Sequence, residues 1–314
     1  MIVSDILRCV VNEIDEKVDY SLLENSISQD FGMNIRNLQR VQIGYSNKVF
    51  KGILGQEVVY VRIQKDKSLY PVEEAVYKAL ENQGIPVPKI LAMDLNPKNL
   101  GSATMIMESA KGTPLGEAKL SVSQRNLVYE DAGKVLKRMH QIKLPSFGKL
   151  SLKDNQLVGQ FQSFNDYMKA GATDESNFKY AGDNQLITAE EYKRVLEIWE
   201  KISNLSVQQA VLSHNDFHGV HVFTDGNKVT GVIDFTDARG EDPRWDLAMA
   251  MFFQNPQERE AFKKGYGDLT NDPVLKDYLI FVAVCKLGWR YKHGHLNSAD
   301  NSLKVFRDEL QISS

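Results

Sequence analysis

The chain has 314 residues, 42% of them apolar and 25% charged, with a formal net charge of −3. That length suits one large or two smaller domains, and the near-neutral balance gives no electrostatic reason to expect nucleic acid or an anionic membrane as partner. Cys9 and Cys285 make no disulfide framework, the opening residues 1–13 are broken by charges and do not read as a signal peptide, and the longest apolar run, 278–285, is too short to span a bilayer, so a cytoplasmic protein is expected.

Residues 2–31 suggest two helices, the second capped by Asp19 or Ser21. Residues 38–44 and 49–54 read as consecutive strands joined by Gly44-Tyr45-Ser46-Asn47-Lys48. By itself that segment fits an ordinary hairpin turn, although a glycine among small polar residues also lets backbone N–H groups close around a triphosphate. Residues 57–64 alternate enough for a third strand, which carries Arg62. A helix is predicted over 71–83 with Pro71 in its first turn, and it places Glu73, Val76 and Leu80 on one face. An inward carboxylate needs a cation, and Arg62 is the expected partner, whereas the neighbouring Glu74 is solvated. Ile85-Pro86-Val87-Pro88 is extended, because each proline restrains the residue before it. Residues 90–93 and 103–107 complete a sheet of about five strands, which the chain leaves through Glu108-Ser109-Ala110-Lys111-Gly112.

Beyond residue 112 the pattern turns helical. Residues 123–142 form an amphipathic helix, with His140 near its end as a capping or core histidine. Residues 159–168 read as a second helix, the polar stretch 171–185 as a loop or lid, and 188–202 as a clear helix. A buried strand over Ala210, Val211 and Leu212 then runs into His214-Asn215-Asp216-Phe217-His218-Gly219-Val220-His221. Residues 220–223 and 229–233 make a hairpin turned at Asp225-Gly226-Asn227. The loop and the end of that hairpin would bring Asp216, His221 and Asp234 together, an arrangement that holds a metal-bound phosphate beside a base. His-x-Asp followed five residues later by a ligand-type side chain is the spacing of a kinase catalytic loop. His214, His218 and His221 also form a metal-like set, but no paired cysteines accompany them. The short stretch between Asp234 and Pro243 leaves no peptide-docking platform, which favours a small molecule over a protein substrate.

His214-Asn215-Asp216, Ile233-Asp234-Phe235 and Gly240-Glu241-Asp242-Pro243-Arg244-Trp245-Asp246-Leu247-Ala248 together resemble the aminoglycoside phosphotransferase family. The resemblance implies an α+β, two-lobed protein-kinase-like fold. Residues 1–107 would be a nucleotide-binding N-lobe of antiparallel sheet plus helices, 108–112 a hinge, and 113–314 a mainly helical C-lobe. It implies transfer of the γ-phosphate of ATP or GTP to a hydroxyl of an antibiotic-like acceptor, aminoglycoside or macrolide. A metabolite kinase (choline, sugar or homoserine type) and a nucleotide-binding regulator with little turnover are the alternatives. By the same resemblance Gly44, Ser46 and Asn47 lie over the phosphates, and Arg62, where kinases usually have lysine, pairs with phosphate oxygens and Glu73. The Glu108 carbonyl and Ala110 amide would meet the base, and Asp216 is the catalytic base. Asp234 and His221 would hold Mg2+, and Asp246 braces the catalytic loop. His221 departs from the family's usual asparagine. An imidazole suits Mn2+ or Zn2+ better than Mg2+, so the position fits a metal ligand and a structural histidine alike, with the macrolide branch similar at this point. Trp245, Phe252, Trp289 and Tyr291 fit an acceptor pocket or the core. The balanced charges of the C-terminal helices do not demand a polycationic acceptor.

Overall fold

A computed structural model describes residues 18–41, 48–171 and 175–311, so the Gly44, Ser46 and Asn47 turn and the first predicted helix lie outside the described residues. The chain forms two compact units. One comprises the residues up to Lys78 together with Val87–Lys111, the other Ala79–Pro86 and everything from Gly112 onward. The excursion of 79–86 into the second unit has a visible anchor, since the Val232 N–H donates to the Pro86 carbonyl at 2.8 Å.

In the first unit, α1 (Tyr20–Phe31) is capped by Asp19, whose Oδ1 accepts the Leu22 N–H at 3.0 Å. β1 (Ile35–Val41), β2 (Lys48–Leu54) and β3 (Glu57–Gln64) form an antiparallel meander. α2 (Leu69–Asn82) follows, and β4 (Ile90–Asp94) and β5 (Ala103–Glu108) complete a sheet of order β1-β2-β3-β5-β4. β1 begins earlier than its alternation predicts. A register break between Arg36 and Gln39, with Asn37 at φ 57°, lets Ile35 and Leu38 both point inward although they are three residues apart. Leu23, Ile27, Ile35, Phe50, Val61 and Ile106 form the core between sheet and helix.

The second unit opens with β6 (Thr113–Pro114) and α3 (Val122–Met139), the latter started by a capping box between Ser121 and Gln124. Short strands follow: β7 (Lys143–Leu144), β8 (Gly148–Lys149), β9 (Ser151–Lys153) and β10 (Gln156–Val158). The helix expected over 159–168 is only α4 (Phe164–Lys169). Phe147 and Phe161 exchange backbone hydrogen bonds at 2.7 and 2.9 Å, which holds the chain extended until Ser163 caps the helix. The expected lid is largely helix as well. In α5 (Glu175–Asp183) Phe178 and Ala181 are fully buried, and the Phe178 ring packs on Trp199 and Phe281. Polar composition misled there because only two or three positions of that helix face inward.

After α6 (Ala189–Ser203), β11 (Ala210–Ser213) becomes the centre of a sheet of order β7-β11-β14-β8, and β12 (Val222–Thr224) with β13 (Val229–Val232) pairs onto β6. β14 (Arg239–Glu241) leads directly into α7 (Pro243–Phe252), followed by α8 (Pro256–Tyr266), α9 (Val274–Lys292) and α10 (Leu296–Gln311). α3 and α8 cross backbone to backbone: a Cβ on Gly265 would lie 1.8 Å from the Glu130 carbonyl oxygen, so only glycine fits. α9 is buried along most of its length and packs against α5, α6, α7 and α10. No helix among the described residues is long and apolar enough to cross a membrane.

Glu241 is fully buried at the end of β14, where the Tyr167 hydroxyl donates to its Oε2 at 2.6 Å and the Asp242 N–H to its Oε1. Burial, only partly offset by these bonds, pushes its pKa up to about 8. The unfolded chain loses this proton near pH 4.5 while the native state keeps it to about 8. The group's destabilising effect is therefore absent below about pH 4.5 and grows as pH rises toward 8. Glu241→Gln should flatten the fall in melting temperature across that window, with wild type and variant diverging most at pH 8 and above.

Candidate active site

The site is built where β11 ends. Its loop is held by a single carboxylate: Asp246, in the first turn of α7, accepts the His214 N–H at 2.6 Å and the Asn215 N–H at 2.7 Å, one on each oxygen. Asp246 is completely buried and also meets His140 Nε2 at 3.2 Å, while His140 Nδ1 lies 2.7 Å from the Tyr266 hydroxyl. Burial alone would raise the Asp246 pKa, but His140, His214 and the loop amides outweigh it and keep the group ionised. His140 is thus a core histidine, as its position predicts.

The loop itself is tightly determined. Asn215 adopts φ 65°, a region that asparagine tolerates better than most residues, and its side-chain amide donates to the Asp237 carbonyl at 2.9 Å. His214 is buried with both ring nitrogens engaged. The Asp216 N–H donates to Nδ1, so Nε2 carries the proton and donates to the Ile233 carbonyl at 2.9 Å. Burial, followed by the neighbouring His221, lowers its pKa, consistent with a neutral ring. A zinc site using His214 is therefore excluded, because no lone pair remains for a metal.

Asp216 projects from this frame. Its Oδ2 lies 3.4 Å from His218 Nε2 and 3.4 Å from His221 Nδ1, and its Oδ1 3.3 Å from Lys286 Nζ on α9. Burial opposes ionisation, yet His218, Lys286 and His221 together hold the carboxyl well below the usual range. His221 Nδ1 also sits 2.9 Å from the Asp216 carbonyl oxygen. A carbonyl only accepts, so Nδ1 carries a proton and Nε2 is the ring nitrogen turned toward Asp234, whose Oδ2 is 3.8 Å away. Asp234 adopts φ 65° after β13, and its Oδ1 accepts the Thr236 hydroxyl at 2.7 Å. The Ile233 N–H to His221 carbonyl bond, 3.0 Å, ties the two segments together. Asp216, His221 and Asp234 thus converge, with His221 in the middle.

In the first unit Arg62 on β3 meets Glu73 on α2 in a buried ion pair, with the Tyr70 ring 5.8 Å from its guanidinium carbon. Burial disfavours the charge, but the carboxylate outweighs it and raises the arginine's pKa further. Glu74 instead pairs with Lys78 at 2.8 Å on the helix surface. Glu108 closes β5, its N–H donating to the Lys89 carbonyl, and Ala110 lies in the irregular segment that follows, just before the bend at Lys111 and Gly112.

One neighbour of Asp216 and one of His218 carried no signal of that role in the sequence. Lys286 lies seventy residues away in a helix otherwise devoted to the core, and Phe253, stacked on the His218 ring at 4.2 Å, ends α7. Of the aromatic residues considered for a pocket, Trp245 and Phe252 are core, Trp289 stacks with His293 and His295, and Tyr291 is exposed.

A chain of two compact units, with a braced His-x-Asp loop and a second aspartate on the next hairpin, has the parts of a phosphotransferase. The chain belongs to the phosphotransferase enzyme family, whose model matches residues 37–278. It is similar to the hygromycin-B 4-O-kinase of Escherichia coli, 20% identical over 285 residues that cover 85% of this chain and 78% of that protein. Its fold is similar to a thermostable mutant of aminoglycoside phosphotransferase APH(4)-Ia in ternary complex with ADP and hygromycin B, with TM-score 0.70, 17% identity, and coverage of 92% of this chain and 98% of that one. It is also similar to APH(2")-IIia in complex with GDP and kanamycin, with TM-score 0.66, 13% identity, and coverage of 95% and 100%.

Replacing Asp246 with alanine would leave two loop amides and His140 without their acceptor. A loss of about 3–5 kcal/mol in stability is expected from removing one member of such a buried charged network, measured by urea unfolding. Asp246→Asn, which keeps one acceptor, should fall between that variant and wild type.

Proposed function

We propose that this enzyme transfers the γ-phosphoryl group of ATP or GTP to a hydroxyl of a small molecule, with an antibiotic of aminoglycoside or macrolide type as the first acceptor class. The observation that carries this reading is the convergence of Asp216, His221 and Asp234 on a loop whose backbone is locked by Asp246. The relatives support it: one is a hygromycin-B 4-O-kinase, and the two solved structures hold ADP with hygromycin B and GDP with kanamycin. A triphosphate donor also suits a cytoplasmic enzyme.

Asp216 is assigned as the group that receives the acceptor hydroxyl. Held ionised, it accepts a hydrogen bond from that hydroxyl and takes its proton late, as the new oxygen–phosphorus bond forms and the bond to the β-phosphate oxygen breaks. Asp234 and His221 are assigned as the holders of a divalent cation. The donor set fits: a carboxylate stands beside an imidazole whose other nitrogen is committed to the Asp216 carbonyl, the usual way a ligating histidine is oriented. Such a cation, when bound, would offset the negative charge of the phosphates. Because one donor is nitrogen, Mn2+ is expected to serve at least as well as Mg2+.

Residues 1–107 are assigned as the nucleotide-binding lobe, 108–112 as the hinge and 113–314 as the catalytic lobe. Arg62, oriented by Glu73, is assigned to phosphate oxygens. Gly44, Ser46 and Asn47 are assigned to the phosphates, and the Glu108 carbonyl and Ala110 amide to the base.

A panel of hydroxyl acceptors run in parallel with ATP and GTP tests this function. Asp216→Asn should lower kcat by roughly a hundredfold or more while nucleotide affinity stays within about threefold; undiminished turnover would sink the assignment. A second expectation concerns the metal. His221→Asn should shift the ratio of Mn2+- to Mg2+-supported rates toward Mg2+, read in the same assay across a metal titration.

A further inference from the structure

Resting on the phosphotransferase reading, and narrowing its acceptor class to the macrolide-like side, we propose that Lys286 sets the charge class of the acceptor: a hydroxyl compound carrying at most one positive charge, rather than a polycation such as an aminoglycoside. The ammonium of Lys286 stands 3.3 Å from Asp216 Oδ1. Any hydroxyl within hydrogen-bonding reach of that carboxylate, about 3 Å, therefore comes within roughly one Debye length of a fixed positive charge. Lys286 is itself positioned, its Nζ lying 5.8 Å from the Phe253 ring centroid, and Arg290, one turn further along α9, lies 5.2 Å over Phe252 and 5.8 Å over Phe253. Two cations thus back the aromatic wall on which His218 stacks.

A polycationic acceptor would need carboxylates to replace its water, and the buried and half-buried ones of α7, α8 and α9 are engaged within the protein. Asp246 holds the loop, Glu258 pairs with Arg125 and Asp277 with Lys201, while Glu260 is on the solvent face of α8. Asp242, which caps α7, is bound by Arg244 and the Tyr278 hydroxyl. The pocket that adjoins His218 and Phe253 is lined by Leu115, Tyr129, Phe217 and Gln254 among others, and no carboxylate lines it. That cavity has room for about one water molecule and is walled by core side chains, so the acceptor is met at the open face of Asp216 and Lys286 rather than inside it. Like charges at this range raise the free energy of a bound polycation, and the single negative charge of Asp216 is already partnered by Lys286.

The test uses the full chain, ATP and GTP, and matched acceptors: hygromycin B and kanamycin as polycations, a macrolide as a bulky acceptor of low charge, and polyols and hydroxy acids as neutral and anionic ones. Product is read by mass, and nucleotide hydrolysis to water is followed alongside. Wild type is expected to favour low-charge or anionic acceptors over both polycations by at least tenfold in kcat/KM. Lys286→Glu should move that ratio by tenfold or more toward the polycations, chiefly through KM; Lys286→Gln should fall between, and Lys286→Arg should keep the wild-type order. Equal or better use of hygromycin B or kanamycin by wild type, or a ratio unmoved in both the Gln and Glu variants, would overturn the proposal while leaving the phosphotransferase intact. Absence of transfer to every acceptor and to water would overturn the phosphotransferase reading and this inference together.

Discussion

The carboxylate of Asp246 is the hinge-pin of the second unit. It is wholly buried, and two backbone amides and one imidazole converge on its two oxygens. A charge in such a place is stable only because those donors replace water, and the donors in turn have no other acceptor of comparable strength. The arrangement couples three distant pieces of chain: the start of α7, the loop after β11, and His140 at the end of α3, itself steadied by Tyr266 from α8. Asn215 is held in its left-handed backbone by two donors that are both occupied, its N–H and its side-chain Nδ2. Asp216 is consequently presented by backbone geometry rather than by its own contacts.

From that fixed point the neighbours of Asp216 arrive from both sides. His221 is oriented by the Asp216 carbonyl, which determines the nitrogen that faces Asp234. Lys286 comes from α9, whose buried face anchors it among α5, α6, α7 and α10. A lysine on a core helix has little freedom at its backbone, so its ammonium is a permanent part of the local field rather than a surface charge that solvent averages away.

The first unit depends on a different charged pair. Arg62 and Glu73 are both buried and each offsets the other's charge, so removing either leaves a buried charge without its main counter-charge. A planar guanidinium offers several N–H groups in fixed directions, and can therefore hold a helix carboxylate and still present donors elsewhere, which a lysine does only as a point charge.

Most of this was legible where the information is local. The five strands of the first sheet, the amphipathic α3 and α6, the inward face of α2 and the His-x-Asp loop all follow from period, capping and spacing, which nearby residues determine by themselves. Legibility failed where a few non-local contacts overrule composition. Ile35 joined β1 through a bulge, Phe161 was held extended by Phe147, and α5 was helical because Phe178 packs on Trp199 and Phe281. By itself, then, the sequence determined the type of each long element, the identity of the loop residues and the pairing of Arg62 with Glu73. Tertiary structure alone decided that His214 is spent on main chain, that His221 offers Nε2, and that Lys286 faces Asp216. Those facts depend on which groups meet across tens of residues and on which atom of each is left over, and no spacing along the chain encodes that.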